Sequence, residues 1–108
     1  MLNKQTTLYL YRGASSSIDF DFSNFSFNGG KCVFTISNLC KKENLLQFEF
    51  NQSRKYTMII TDEFTKTLKD NKYLYNIMYL AGDERYPQCA DSDIIVRNVV
   101  NAYDGNSN

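Results

Sequence analysis

Between residues 72 and 80 the chain reads KYLYNIMYL, with Tyr73, Tyr75, Ile77 and Tyr79 on one alternating phase. Leu74, Asn76, Met78 and Leu80 occupy the other. Successive side chains of a strand point to opposite faces, so a period of two calls for extended backbone and argues against a helix. The rhythm recurs along the chain. SSSIDFDF (15–22) alternates Ile18, Phe20 and Phe22 with Asp19 and Asp21. KCVFTIS (31–37) sets Cys32, Phe34 and Ile36 on one face, and LLQFEF (45–50) does the same with Leu46, Phe48 and Phe50. YTMIIT (56–61) repeats it with Tyr56, Met58 and Ile60. Segments of this kind bury their apolar residues only by pairing into sheets that cover one face.

Two stretches break the rule. TTLYLY (6–11) carries large apolar side chains on both phases, so it is covered on both faces, meets a partner through Tyr9, or simply leaves Tyr9 exposed. TDEFTKTLKDN (61–71) changes period. Thr61 or Asp62 can cap a helix, Phe64 and Leu68 stand at i, i+4, and Asn71 tolerates the left-handed geometry of a helix end. This reads as about two turns of helix, or one short helical turn, crossing from one sheet to the other before the penultimate strand.

Gly82-Asp83 is a turn signal, but the stretch to Asp91 looks too long for a two-residue hairpin, so 82–91 is expected to be a loop. Tyr86 beside the rigid Pro87 is its exposed aromatic, and Asp91 and Asp93 read as the polar lead-in to a last strand, SDIIVRNVV (92–100). Eight Tyr and eight Phe in 108 residues suit this all-β reading.

Seven strands and one helical crossing predict a two-sheet antiparallel sandwich over residues 6–100, with an N-terminal extension at 1–5 and a polar tail at 101–108. In such folds a tyrosine near the start of the penultimate strand bonds back to the loop before it, a tyrosine corner. Tyr73 and Tyr75 are the candidates.

The chemistry-bearing residues are sparse. Histidine is absent, which removes the commonest general base and metal ligand. No phosphate-binding glycine motif is present. Asp19 and Asp21 share a strand face, where two carboxylates could serve glycoside hydrolysis. Their alternation with Ile18, Phe20 and Phe22 explains them as a wet face instead. Cys32, Cys40 and Cys89 are an odd set without CxxC spacing, neither a disulfide framework nor a zinc motif. The expectation is a non-enzyme without cofactor or metal, its thiols reduced. Twelve basic and twelve acidic side chains leave no basic excess for a nucleic-acid partner. The opening MLNKQTTLYLYRG has too short an apolar run for a signal peptide, and no segment has the length of a membrane span.

YRGASSSIDFDF, VFTIS, TDEFTKTLKDNKYLYNIMYL and SDIIVRNVV together resemble the immunoglobulin-like N-terminal domain of phage baseplate upper proteins and related small phage virion domains. That family opens with a strand ending in an RGD-like turn and later carries a T…L…GxYxYDIxL signature. Arg12-Gly13-Ala14 stands at the turn, Thr65 and Leu68 at the Thr and Leu, and Tyr73, Tyr75, Asn76 and Ile77 along YxYDI. Ala14, Asn71 and Asn76 depart from the family's acid, glycine and Asp. The resemblance implies an immunoglobulin-like sandwich that docks by protein–protein contacts to other virion proteins in a symmetric assembly, at a baseplate, tail, connector or capsid surface. Localisation would be the virion. The alternatives are a phage-encoded inhibitor that occludes a host defence protein, and a carbohydrate- or receptor-binding module using Tyr86.

Overall fold

The alternating phases meet face to face. The computed structural model describes residues 6–40 and 43–98, and among them seven strands and one short helix follow in order. These are β1 (Leu8–Arg12), β2 (Ser16–Asp21), β3 (Lys31–Ser37), β4 (Asn44–Phe50), β5 (Lys55–Ile60), α1 (Asp62–Lys66), β6 (Lys72–Ala81) and β7 (Glu84–Asn98). Five strands form one sheet in the order β1-β7-β6-β3-β4, and β2 and β5 form a second. The inward phases are those read from the sequence. Phe20, Phe34, Ile36, Ile60, Tyr75 and Ile77 are all buried, joined by Leu10 and Ile94 from β1 and β7.

Aromatic rings hold the two sheets together. The Phe20 ring of β2 lies 5.6 Å from Phe34 and 4.9 Å from Phe50 on the opposite sheet. Phe50 is also 4.8 Å from Tyr56 of β5. Most of these rings meet tilted or edge to face, the favoured arrangement of ring quadrupoles. Phe25 and Phe27 fold under the same cluster from the loop after β2, their centroids 4.7 Å apart. Tyr79 closes that loop by donating its hydroxyl to the Phe27 carbonyl. At Gly30 a Cβ would sit 2.5 Å from the Leu80 carbonyl and 2.8 Å from the Tyr79 ring, so only glycine fits there.

Four expectations need correction. The pairing is not wholly antiparallel: β1 runs parallel to β7, with Leu8 opposite Ile94 and Leu10 opposite Val96. Parallel neighbours need a long connection between them, and here nearly the whole chain separates the first strand from the last. Residues 82–91 are not a loop. Ala81 pairs with Glu84 across a two-residue Gly82-Asp83 turn, with Gly82 at φ 60°, as a type II′ hairpin requires. Between Ala81↔Glu84 and Tyr75↔Ser92, β6 advances six residues and β7 eight, and two register shifts absorb the difference. Pro87 is tolerated because β1 covers only Ile94–Asn98, leaving this part of β7 at an open edge. Asp91 and Asp93 accordingly lie within β7 and do not precede it.

The short helical turn is present before β6, but it ends ahead of Asn71. Thr61 caps it, accepting the Phe64 amide on its side chain, and it ends at Lys66 with Thr67 as C-cap. Asn71 is not left-handed; the only non-glycine residue at positive φ among the described residues is Asn28. Asn71 instead offers its carbonyl to the Val96 amide at 2.8 Å. The N-terminal extension at 1–5 and the tail at 101–108 lie outside the described residues.

Cys32 and Cys89 are buried in this core, while Cys40 is exposed. Burial pushes the Cys32 thiol up to about 11, away from the reactive thiolate. A maleimide reagent at neutral pH should therefore label one thiol of the folded protein rapidly and all three only in denaturant. Rapid native labelling at Cys32, read by peptide mass spectrometry, would contradict this packing.

Candidate functional site

Apart from the two carboxylates of β2, the residues singled out in the sequence fall into three places. The first is a junction at the end of β1. Arg12 stretches its guanidinium across the segment after α1: Nε donates to the Leu68 carbonyl at 2.7 Å and Nη2 to the Asp70 carbonyl at 2.7 Å. Nη2 also reaches Asn71 Oδ1 at 3.1 Å, and Nη1 reaches Asn98 Oδ1 at 2.7 Å. A planar cation with five donors suits this task, because it can satisfy several carbonyls in fixed directions.

Thr65 completes the junction from α1. It is fully buried, and its Oγ1 accepts the Gly13 amide at 3.1 Å. The same oxygen lies 3.1 Å from the Ala14 carbonyl and 3.0 Å from the Asp62 carbonyl, either of which can take its one proton. Gly13 sits at φ 84°, a left-handed turn that a Cβ would strain.

Tyr73 then bonds back to the crossing segment, its hydroxyl accepting the Asp70 amide at 2.9 Å. Of the two tyrosine-corner candidates it is the one with that geometry. Tyr75 reaches elsewhere, donating to the Thr6 carbonyl just before β1, with its ring 5.6 Å from Phe34. Burial, with Cys89 alongside, pushes the Tyr75 phenol up to about 12. The sequence reading matched Arg12, Thr65 and Leu68 to a pattern but gave them no roles. A threonine beside the apolar Phe64–Leu68 stripe was the available signal, since a polar group on a buried phase needs a partner.

The second place is the outward face of β1. Tyr9 is 49 % and Tyr11 41 % exposed, beside Ile95 and Arg97 of β7. The Arg97 guanidinium lies 4.8 Å over the Tyr9 ring, a cation–π contact. The third is the β6–β7 hairpin, where Tyr86 stacks on Tyr79 at 6.2 Å. A hydrogen bond with Glu84 leads the causes that raise the Tyr86 phenol above its ordinary value. Tyr9 and Tyr86 do not form one surface. Tyr86 shares the inward phase of Tyr79, whereas Tyr9 points outward. Their β6 counterparts, Lys72 and Tyr79, stand seven residues apart, or roughly 20–25 Å along the strand.

The two carboxylates of β2 have local partners. Asp19 accepts the Thr57 hydroxyl at 2.8 Å, and Asp21 accepts the Ser23 amide at 3.0 Å. The Ser23 hydrogen bonds hold the Asp21 carboxyl below its usual range. Among the described residues no three His, Cys, Asp or Glu side chains converge to hold a metal, and no helix is long and apolar enough to cross a membrane. A hollow of about 350 Å³ beside the junction is lined by Leu45, Phe64, Leu68 and Tyr73 under a rim of Lys69 and Asp70. No protein-family model and no curated protein matches the chain.

Two measurements test this geometry. Thr65→Val keeps the shape but strands the Gly13 amide, and urea unfolding should show a loss of about 1–3 kcal/mol, with Thr65→Ser retaining most of the stability. Tyr75→Phe should cost about 1 kcal/mol at neutral pH. Because folding raises the Tyr75 pKa from 10.0 to about 12, the folded state favours the protonated phenol. Its contribution is whole below pH 10 and is lost as pH rises toward 12. The wild-type advantage over Tyr75→Phe should shrink across that window; a gap that widens there would refute the assignment.

Proposed function

We propose that the chain is an immunoglobulin-like β-sandwich that serves as a non-enzymatic docking component of a bacteriophage virion, acting through protein–protein contacts. The observation that carries the reading is the strand arrangement. β2 and β5 form one sheet, and β7, β6, β3 and β4 lie in succession in the other. Immunoglobulin-type sandwiches divide their B and E strands from their G, F, C and C′ strands in this way. The first strand, β1, joins the last strand in parallel here. The Tyr73–Asp70 bond at the start of the penultimate strand matches a tyrosine corner.

A second line of support comes from the residues that carry the resemblance. Arg12, Gly13, Ala14, Thr65 and Leu68 meet in one hydrogen-bonded junction, with Asn71 and Tyr73 beside it. The family pattern thus acquires a physical meaning, as the set of groups that joins the first strand to the crossing before β6. Fold alone is a weak warrant for a role, so the virion assignment rests on the resemblance and on a surface of sheet edges and exposed tyrosines suited to docking.

Quantitative mass spectrometry of purified particles is the decisive test. A virion component should co-purify in fixed stoichiometry, in a multiple set by particle symmetry. Its absence from particles, with expression early in infection, would overturn the docking role in favour of an inhibitor of host defence.

A further inference from the structure

Sheet edges offer unpaired backbone groups to any extended chain, and proteins normally blunt them with charge, proline or bulges. Most of the open edges in this molecule are blunted. The exposed stretch of β7 carries Pro87 and two register shifts. β2 presents Asp19 and Asp21, β5 begins with Lys55, and β4 carries Glu49, paired to Lys31 at 3.1 Å.

β1 has none of these devices. It is the terminal strand of its sheet among the described residues, and its sequence is LYLYR. Its single charge, Arg12, is already committed to the Leu68 and Asp70 carbonyls. Outward it shows Tyr9 and Tyr11, both more than two-fifths exposed.

We propose that the β1 edge is a self-association site, at which β1 pairs antiparallel with β1 of a second copy and joins two five-stranded sheets into one. A free edge can be extended by another strand, and the side chains favour this one. The Tyr9-Leu10-Tyr11 sequence is symmetric about Leu10, so a two-fold axis there sets Leu10 against its own equivalent and Tyr9 against Tyr11 of the second copy. Both aromatic pairs are then cross-strand neighbours, Arg12 falls opposite Leu8 of the second copy, and no like charges meet along the pairing. A two-fold contact of this kind is self-complementary and closed. Five residues per strand make a small interface, so the dimer is weak in free solution and gains from the high local concentration of any assembly.

Sedimentation velocity of the whole protein from about 1 μM to about 1 mM, with amide exchange at both ends of the range, tests this. A monomer–dimer equilibrium is expected, with those amides of Tyr9 to Tyr11 that face away from β7 more protected at high concentration. Y9E/Y11E sets carboxylates opposite one another twice and should weaken the dimer by roughly tenfold or more, with circular dichroism and thermal midpoint unchanged. Ile59→Glu, on the exposed face of the other sheet, should leave it intact. A monomer at every concentration overturns the proposal, as does a dimer indifferent to Y9E/Y11E. Equal protection of the edge-facing β1 amides at all concentrations also overturns it, because the chain's own residues would then cover the edge. If Y9E/Y11E fails to fold, the concentration dependence of wild-type exchange decides. The test uses isolated protein, so its outcome is separate from the presence or absence of the protein in particles.

Discussion

The buried hydroxyl of Thr65 fixes where the chain passes between its two sheets. The chain crosses between the sheets four times, and two of those passages, out of the larger sheet after β1 and back to it before β6, run past this side chain. One oxygen accepts the Gly13 amide of the outgoing turn and faces carbonyls of the outgoing and returning segments. Turns buried without partners would leave polar groups at a cost of about 1–3 kcal/mol each. With Thr65 in place the two crossings satisfy each other. Arg12 extends the arrangement outward to Leu68, Asp70 and Asn98, so both ends of the described chain are tied to the same corner.

Everything packed between the sheets follows from that corner. It sets β1 beside β7 and delivers β6 in register, with Tyr73 and Tyr75 pointing inward. The phenylalanines of β2 then fall over Phe34 and Phe50. Ring contacts of this kind are worth about 0.5–1.5 kcal/mol beyond area burial. They specify the fold only if the strands arrive with the correct phase, since a slip of one residue turns every ring outward.

The inward phases were legible because they obey a period of two that few other structures produce. Ile18, Phe20, Phe34, Phe48 and Ile77 all lie on the side that alternation assigns them. What could not be read was non-local. The parallel docking of β1 depends on residues more than eighty positions away in sequence, and no local pattern encodes a partner at that distance. The β6–β7 hairpin was hidden for another reason. Its two register shifts displace Cys89 from simple alternation and, with Pro87, disguise a strand as a loop. Arg12 was missed as a structural residue because an exposed arginine after a strand ordinarily reads as a solvated charge. Its guanidinium is instead occupied by backbone carbonyls of a segment that only the tertiary fold brings near.

That same irregularity of β7 bears on what the surface can do. An edge strand can be regular and inviting, or distorted and protected, and the large sheet has one of each kind along its β7 side. Where β1 covers β7 the strand is regular, and where β1 stops the proline and the register shifts begin. The protection is therefore placed only where, among the described residues, no strand lies alongside. β1 replaces that protected edge with one that is short, uncharged over Leu8 to Tyr11 and aromatic on its outward face. A strand whose only purpose was to close the sheet would be expected to carry on its exposed phase the lysine or proline that such positions usually show. Tyrosines there leave the edge able to accept a strand. The contrast between the two stretches along one side of one sheet is what makes β1 a surface for association and the hairpin a surface that resists it.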